Sequence, residues 1–185
     1  MKALVTGATG MIGGAIVDAL LAHGHSVRAL VRAAAQVDPL ILKGVDLVVG
    51  DLGDAESLRQ AVQGVDAVFH AAAALGFRAG AAIMDDVNVG GTERLLAASR
   101  AAGVGRFVHI SSVAVYGPHE PPIDETTPQQ PNDAYGRTKP FRHVWIEDHS
   151  AVMEAIRRQD PDLARRAMRR HLANTRRCLL EAGQA

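Results

Sequence analysis

The chain has 185 residues, 48% hydrophobic and 22% charged, a composition that suits one soluble domain or one domain with an appendage. Twenty basic and 20 acidic side chains give a formal net charge of zero, so nothing global points toward nucleic acid or an anionic membrane. The single cysteine, Cys178, excludes an intrachain disulfide and a cysteine-rich zinc site, which fits a reducing cytoplasm.

In chain order, KALVT at 2–6 predicts a strand, and GATGMIGG at 7–14 follows it and opens an amphipathic helix over 11–23. Lys2 before apolar residues resembles the start of a signal peptide, but the glycines and Asp18 interrupt any apolar core. No window nears the roughly 18 apolar residues of a membrane span, so a soluble, cytoplasmic protein is expected. Further strands are predicted at 26–31, 46–49, 66–70 and 106–111, with helices at 54–63 and 82–102 and a weaker one near 35–43. The strands are almost continuously apolar, as strands buried on both faces of a parallel sheet are. Their alternation with helices implies right-handed βαβ units. The predicted fold is α/β, a Rossmann-type doubly wound parallel sheet of order 3-2-1-4-5. Residues 117–133 hold five prolines and are expected to be mostly loop.

After Lys139 the strand pattern stops. Residues 147–159 and 161–182 read as two helices joined at Asp160-Pro161, a cap followed by proline at the first helical position. The chain therefore divides into a sheet domain at 1–139 and a helical appendage at 140–185. Residues 1–139 carry 11 Lys/Arg against 14 Asp/Glu, a net of −3, whereas 140–185 carry nine against six, a net of +3. The tail arginines recur in pairs among acids, the pattern of a solvated helix face rather than a nucleic-acid site. Val152, Ile156, Leu163, Ala167, Leu172 and Leu179 form an apolar stripe that needs a partner, either the sheet domain or a second copy in a homo-oligomer.

Gly7, Gly10 and Gly13 lie between a strand and a helix, the context in which a glycine turn holds a dinucleotide. Gly7 permits the tight turn, Gly10 lets a pyrophosphate approach, and Gly13 lets helix and sheet pack closely. Free N–H groups near Met11 and Ile12, together with the helix dipole, favour its negative charge. An acidic residue after the second strand would bind a ribose 2′-hydroxyl, but the sequence there is VRALVRAAA. Arg32 suits a 2′-phosphate, so NADP is favoured over NAD; the alternative is that Arg28 and Arg32 are solvated surface charges.

Six segments occur in order: TGATGMIG at 6–13, GDL at 50–52, HAAA at 70–73, VNVGGT at 87–92, ISSVAVYG at 110–117 and YGRTK at 135–139. With them residues 1–139 resemble the extended short-chain dehydrogenase/reductase family, the NAD(P)-dependent epimerases, dehydratases and reductases acting on sugars and related alcohols. The resemblance implies that Asp51 and Leu52 sit beside the adenine and that Ala71, Ala72 and Ala73 line the path of the pyrophosphate and nicotinamide ribose. It implies a structural asparagine at Asn88 and catalytic groups at Ser112, Tyr135 and Lys139. Tyr135 and Lys139 would also touch the cofactor. A phenol is by itself a poor base at neutral pH, and a neighbouring ammonium favours its ionised form. The implied reaction exchanges a proton with a substrate hydroxyl while hydride passes to or from the nicotinamide.

Family members ordinarily continue well beyond this lysine, so the resemblance implies a truncated fold with an incomplete substrate site. Pro140 is expected to kink or end the helix that carries Tyr135 and Lys139. Residues 145–183 resemble the last two helices of the ligand-binding domain of FadR-type GntR regulators, in which histidines matching His149 and His171 join a metal site. The other ligands have no counterpart, nothing in the spacing supports His143 as a substitute, and packed or solvent-facing histidines are the preferred reading. A non-catalytic NAD(P)-binding module and a helical ligand- or metal-binding regulator fragment are the alternatives to an enzyme.

Overall fold

A computed structural model of the chain describes residues 1–33, 37–75, 80–119, 123–124 and 126–139. Five parallel strands, β1 (Lys2–Thr6), β2 (Ser26–Val31), β3 (Asp46–Val49), β4 (Ala67–His70) and β5 (Arg106–His109), form one sheet of order β3-β2-β1-β4-β5. That is the order expected. Around it lie α1 (Met11–Ala22), α2 (Asp38–Leu42), α3 (Ala55–Val62), α4 (Ala81–Met84), α5 (Gly91–Ala101) and α6 (Ala134–Arg137). The predicted helices at 147–159 and 161–182, with their stripe and histidines, lie outside the described residues, as does Pro140.

Successive side chains of a strand point to opposite faces, so near-continuous apolar strands supply two cores at once. Ala3, Val5, Ala29 and Val31 pack with Val17 and Leu20 of α1 on one face. Leu4, Leu30, Val68 and Phe107 pack with Leu58 of α3 and Leu95 of α5 on the other. Asp54 caps α3, accepting from the backbone N–H groups of Glu56 at 3.0 Å and Ser57 at 3.3 Å.

Arg28 has a role that its sequence context did not disclose. Its guanidinium donates to Asp46 Oδ2 at 2.8 Å and to the carbonyls of Gln60, Ala61 and Gln63 at 3.3, 3.1 and 2.8 Å. Those carbonyls end α3, where a cation meets the negative pole of the helix. The guanidinium, with Lys2 beside it, also holds the Asp46 carboxyl below the usual carboxylate range. Arg28 is therefore committed to the fold rather than to a ligand. Arg28→Ala is expected to cost about 2 kcal/mol, the scale of charge-assisted hydrogen bonds lost together. Arg32→Ala, at an exposed position, should stay within about 0.5 kcal/mol of the parent. Equal urea midpoints for the two variants would show that the α3 cap contributes little.

Two element boundaries differ from the periodicity. The helix expected over 82–102 is continuous in position but not in type, because Asp85–Gly90 between α4 and α5 is a π-helical segment. Wider i→i+5 turns of this kind re-aim side chains. The strand expected to reach Ser111 ends at His109, opposite the last residue of β4. After the Ile110 N–H bond to the His70 carbonyl at 3.0 Å, no partner strand continues among the described residues, and the chain enters a 3₁₀ turn at Val113–Val115.

Candidate active site

The glycine turn lies at the carboxyl edge of β1, as expected. Gly7 has φ +72, and a Cβ there would stand 2.7 Å from the Ala72 nitrogen and 2.9 Å from the Ala71 carbonyl carbon. A Cβ on Gly13 would overlap the Gly7 carbonyl oxygen. The turn, the start of α1 and the segment after β4 thus meet backbone to backbone, with Ala71, Ala72 and Ala73 half-buried beside them.

Gly10 caps α1 without any side-chain bond, and the first turn carries no acidic residue. Met11 and Ile12 are 89% and 49% exposed there. An open helix N-terminus of 12 residues, reached over side-chain-free backbone, fits a pyrophosphate. The residues present therefore fit the dinucleotide that the sequence implies.

Thr6 pairs with Leu30, so Arg32 lies just past the same carboxyl edge, exposed, beside the glycine turn. Asp51 is exposed and accepts from Gly53 N–H at 2.8 Å, while Leu52 is buried and its carbonyl accepts from Arg94 Nε at 2.8 Å.

Asn88, in the π segment, is 2% exposed and joins the two halves of the site. Its Oδ1 accepts from Ala74 N–H at 2.7 Å, and its Nδ2 donates to the Ala74 carbonyl at 3.0 Å and to Thr138 Oγ1 at 2.9 Å. Thr138 in turn donates to the Tyr135 carbonyl at 2.8 Å. One amide therefore ties the segment after β4 to the turn that carries Tyr135 and Lys139.

That turn is α6, capped by Asp133, which accepts from Gly136 N–H at 2.5 Å. Gly136 lacks a Cβ where one would stand 2.5 Å from the Ala114 carbonyl oxygen. α6 therefore packs directly on the 3₁₀ turn capped by Ser112, whose Oγ accepts from Ala114 N–H at 3.2 Å. Among the described residues helical structure ends at Arg137, with Thr138 as its C-cap. Lys139 is 3% exposed; its Nζ lies 5.6 Å from the Tyr135 ring centroid and 3.5 Å from the Ile110 carbonyl oxygen. Burial lowers the lysine to about 8. Tyr135 is half-buried.

The tertiary structure adds residues that motif reading passed over. Thr6, His70 and Thr92 form a buried hydrogen-bonded group behind the site. All three lie inside the segments TGATGMIG, HAAA and VNVGGT, but those segments assigned them no role. Among the described residues no cluster of His, Cys, Asp and Glu could hold a metal, and no helix is long and apolar enough to cross a membrane.

Comparison with known proteins places this geometry. The model of the NAD dependent epimerase/dehydratase family matches residues 3–161. The match runs past the boundary read at 139, and the likeness of the tail to regulators has no support in it. The sterol demethylase protein B of Methylococcus capsulatus is 40% identical over 165 residues, covering 86% of this chain and 49% of that protein. A 3 beta-hydroxysteroid dehydrogenase/Delta 5→4-isomerase of Mycobacterium tuberculosis is 40% identical over 152 residues, covering 75% of this chain and 40% of that one. A short-chain dehydrogenase/reductase superfamily protein from Agrobacterium tumefaciens, solved with bound NAD, superposes with a TM-score of 0.66 at 42% identity. That alignment covers 75% of this chain and 42% of the other. The chain spans about half the length, or less, of the curated relatives it matches.

Proposed function

Since this chain belongs to the NAD-dependent epimerase/dehydratase family, we propose that it serves an NAD(P)-dependent oxidoreductase acting on a hydroxyl or carbonyl carbon of a sugar, sterol or related alcohol. The observation that carries this reading is the Asn88 amide, which holds the dinucleotide-side segment at Ala74 and the Tyr135–Lys139 turn in one assembly. When bound, the nicotinamide supplies the hydride acceptor or donor. The open N-terminus of α1 holds the pyrophosphate, and Ala71–Ala73 line its path. Asp51 and Leu52 flank the adenine.

The Tyr135 phenol exchanges a proton with the substrate oxygen, and Ser112 hydrogen-bonds and orients that oxygen. Lys139, held over the Tyr135 ring, stabilises negative charge developing on the phenol oxygen in a site where burial magnifies the effect. Titration calorimetry on the full chain should show dinucleotide binding that Tyr135→Phe leaves within about twofold, while any turnover is lost in that variant. No binding of NAD or NADP at millimolar concentration would overturn the reading.

Of the two dinucleotides, NADP is favoured. β2 ends at Val31 without a following acid, and the exposed Arg32 stands at that edge, free of the α3 cap that occupies Arg28. A guanidinium–phosphate contact contributes about 1.5–3 kcal/mol, so NADP should bind at least tenfold or so more tightly than NAD. Arg32→Ala should narrow that gap. Equal affinities, unchanged by the substitution, would leave Arg32 a surface charge.

A further inference from the structure

His70 is 1% exposed at the end of β4, and both of its ring nitrogens are hydrogen-bonded. Nδ1 lies 2.6 Å from Thr6 Oγ1 and Nε2 lies 2.9 Å from Thr92 Oγ1. The proton positions follow from the partners. Thr92 Oγ1 stands 2.5 Å from the Asn88 carbonyl oxygen, which can only accept, so the single Thr92 hydroxyl proton is used there. Toward His70, Thr92 can then only accept, and Nε2 carries a hydrogen. Thr6 Oγ1 accepts from Ala72 N–H at 3.3 Å and has its own proton free to donate to Nδ1.

Every donor in the chain has one acceptor: Ala72 N–H to Thr6, Thr6 to His70, His70 to Thr92, and Thr92 to Asn88. Reversing any one link leaves two protons facing each other or none. We propose that His70 is a positioning residue, a neutral imidazole locked with its proton on Nε2. In that form it joins the dinucleotide-side backbone at Ala72 to Asn88 and, through Thr138, to the Tyr135 turn. The proposal rests on the dinucleotide reading above for its effect on binding, though not for the state of the ring.

The groups facing the ring agree with a neutral form. His109 packs with its ring centroid 5.4 Å from that of His70, and the Lys139 ammonium adds positive charge from the α6 side. Burial first, then these two neighbours, lower His70 to about 3. A second proton on the ring would also face the Thr6 oxygen and displace the hydrogen that now points at Nδ1. The bond direction and the electrostatics require the same state.

Nitrogen-15 NMR of the imidazoles in the full, ligand-free chain decides the ring state, with His70 assigned through its contacts to Phe107 and Thr92. The expected result is a protonated Nε2, a bare Nδ1 and no titration between pH 5 and 9. A proton on Nδ1, or a midpoint inside that range, overturns the proposal. Calorimetric titration with NAD then tests the positioning. His70→Phe and Thr92→Val should each weaken binding by about tenfold, and the double variant should be no weaker than the worse single one, because both break one chain. Single effects below about twofold, or effects that simply multiply, would show that His70 only fills space. Should the parent chain bind no NAD, the functional reading fails. The proposal is then decided by the ring state and by whether Thr92→Val moves the Ala72 amide resonance.

Discussion

Gly7→Ala is expected to lower the stability of the fold by about 2–5 kcal/mol and to abolish dinucleotide binding. Part of that cost is conformational. At φ +72 an L side chain is strained, by about 1–2 kcal/mol. The rest is steric, since the new methyl would stand 2.7 Å from the Ala72 nitrogen and 2.9 Å from the Ala71 carbonyl carbon, neither of which can swing aside. Overpacking against backbone costs about 1–3 kcal/mol more.

Gly24 provides the control. It has the same φ of +72 with nothing within 4 Å of a built Cβ, so Gly24→Ala should show only the conformational part. Urea unfolding should separate the two variants in midpoint with unchanged slope. If Gly7→Ala is no less stable than Gly24→Ala, then the segment after β4 does not press on the glycine turn. In that case the cradle for the pyrophosphate is looser than its geometry implies.

Lys139→Met should do the opposite, stabilising the chain at pH 7 while removing any turnover that the proposed function supplies. A lysine with 3% exposure gives up most of its hydration, and burial lowers it from 10.5 to about 8. The unfolded chain then binds more protons than the folded one between pH 8 and 10.5, so the parent gains stability as pH rises through that window. Below it, the full cost of a buried ammonium is present, on the order of 3 kcal/mol. Methionine has a similar shape and carries no charge. The gain from Lys139→Met should therefore be complete at pH 7 and shrink toward pH 10.5. A variant less stable than the parent at pH 7 would mean that the contacts of Nζ with the Ile110 carbonyl and the Tyr135 ring outweigh desolvation. The same ammonium is the charge that the proposed proton transfer at Tyr135 requires, so stability and function oppose each other at this position.

The sequence alone determined the sheet and the place of the glycine turn. The five apolar runs and the helices between them follow from periodicity, and the order 3-2-1-4-5 follows from right-handed crossovers once the switch is placed between strands 1 and 4, beside the glycine turn. Gly7, Gly10 and Gly13 were legible because strand, turn and helix are contiguous. The family resemblance pointed to Tyr135 and Lys139 as a pair but said nothing of how far the lysine is buried.

Only the tertiary structure decided which arginine is spent on the fold and which stays exposed at the carboxyl edge of the sheet, since the carbonyls that hold Arg28 lie 32 to 35 residues away. It also decided that the long helix opens into a π segment at Asn88, aiming that amide at Ala74, 14 residues back, and at Thr138, 50 residues ahead. His70 depends on Thr6 and Thr92, 64 and 22 residues distant, and its protonation follows from the direction of each bond they make. Periodicity is a local property of the chain. The state of a buried polar group is set by whichever donors and acceptors folding brings to it.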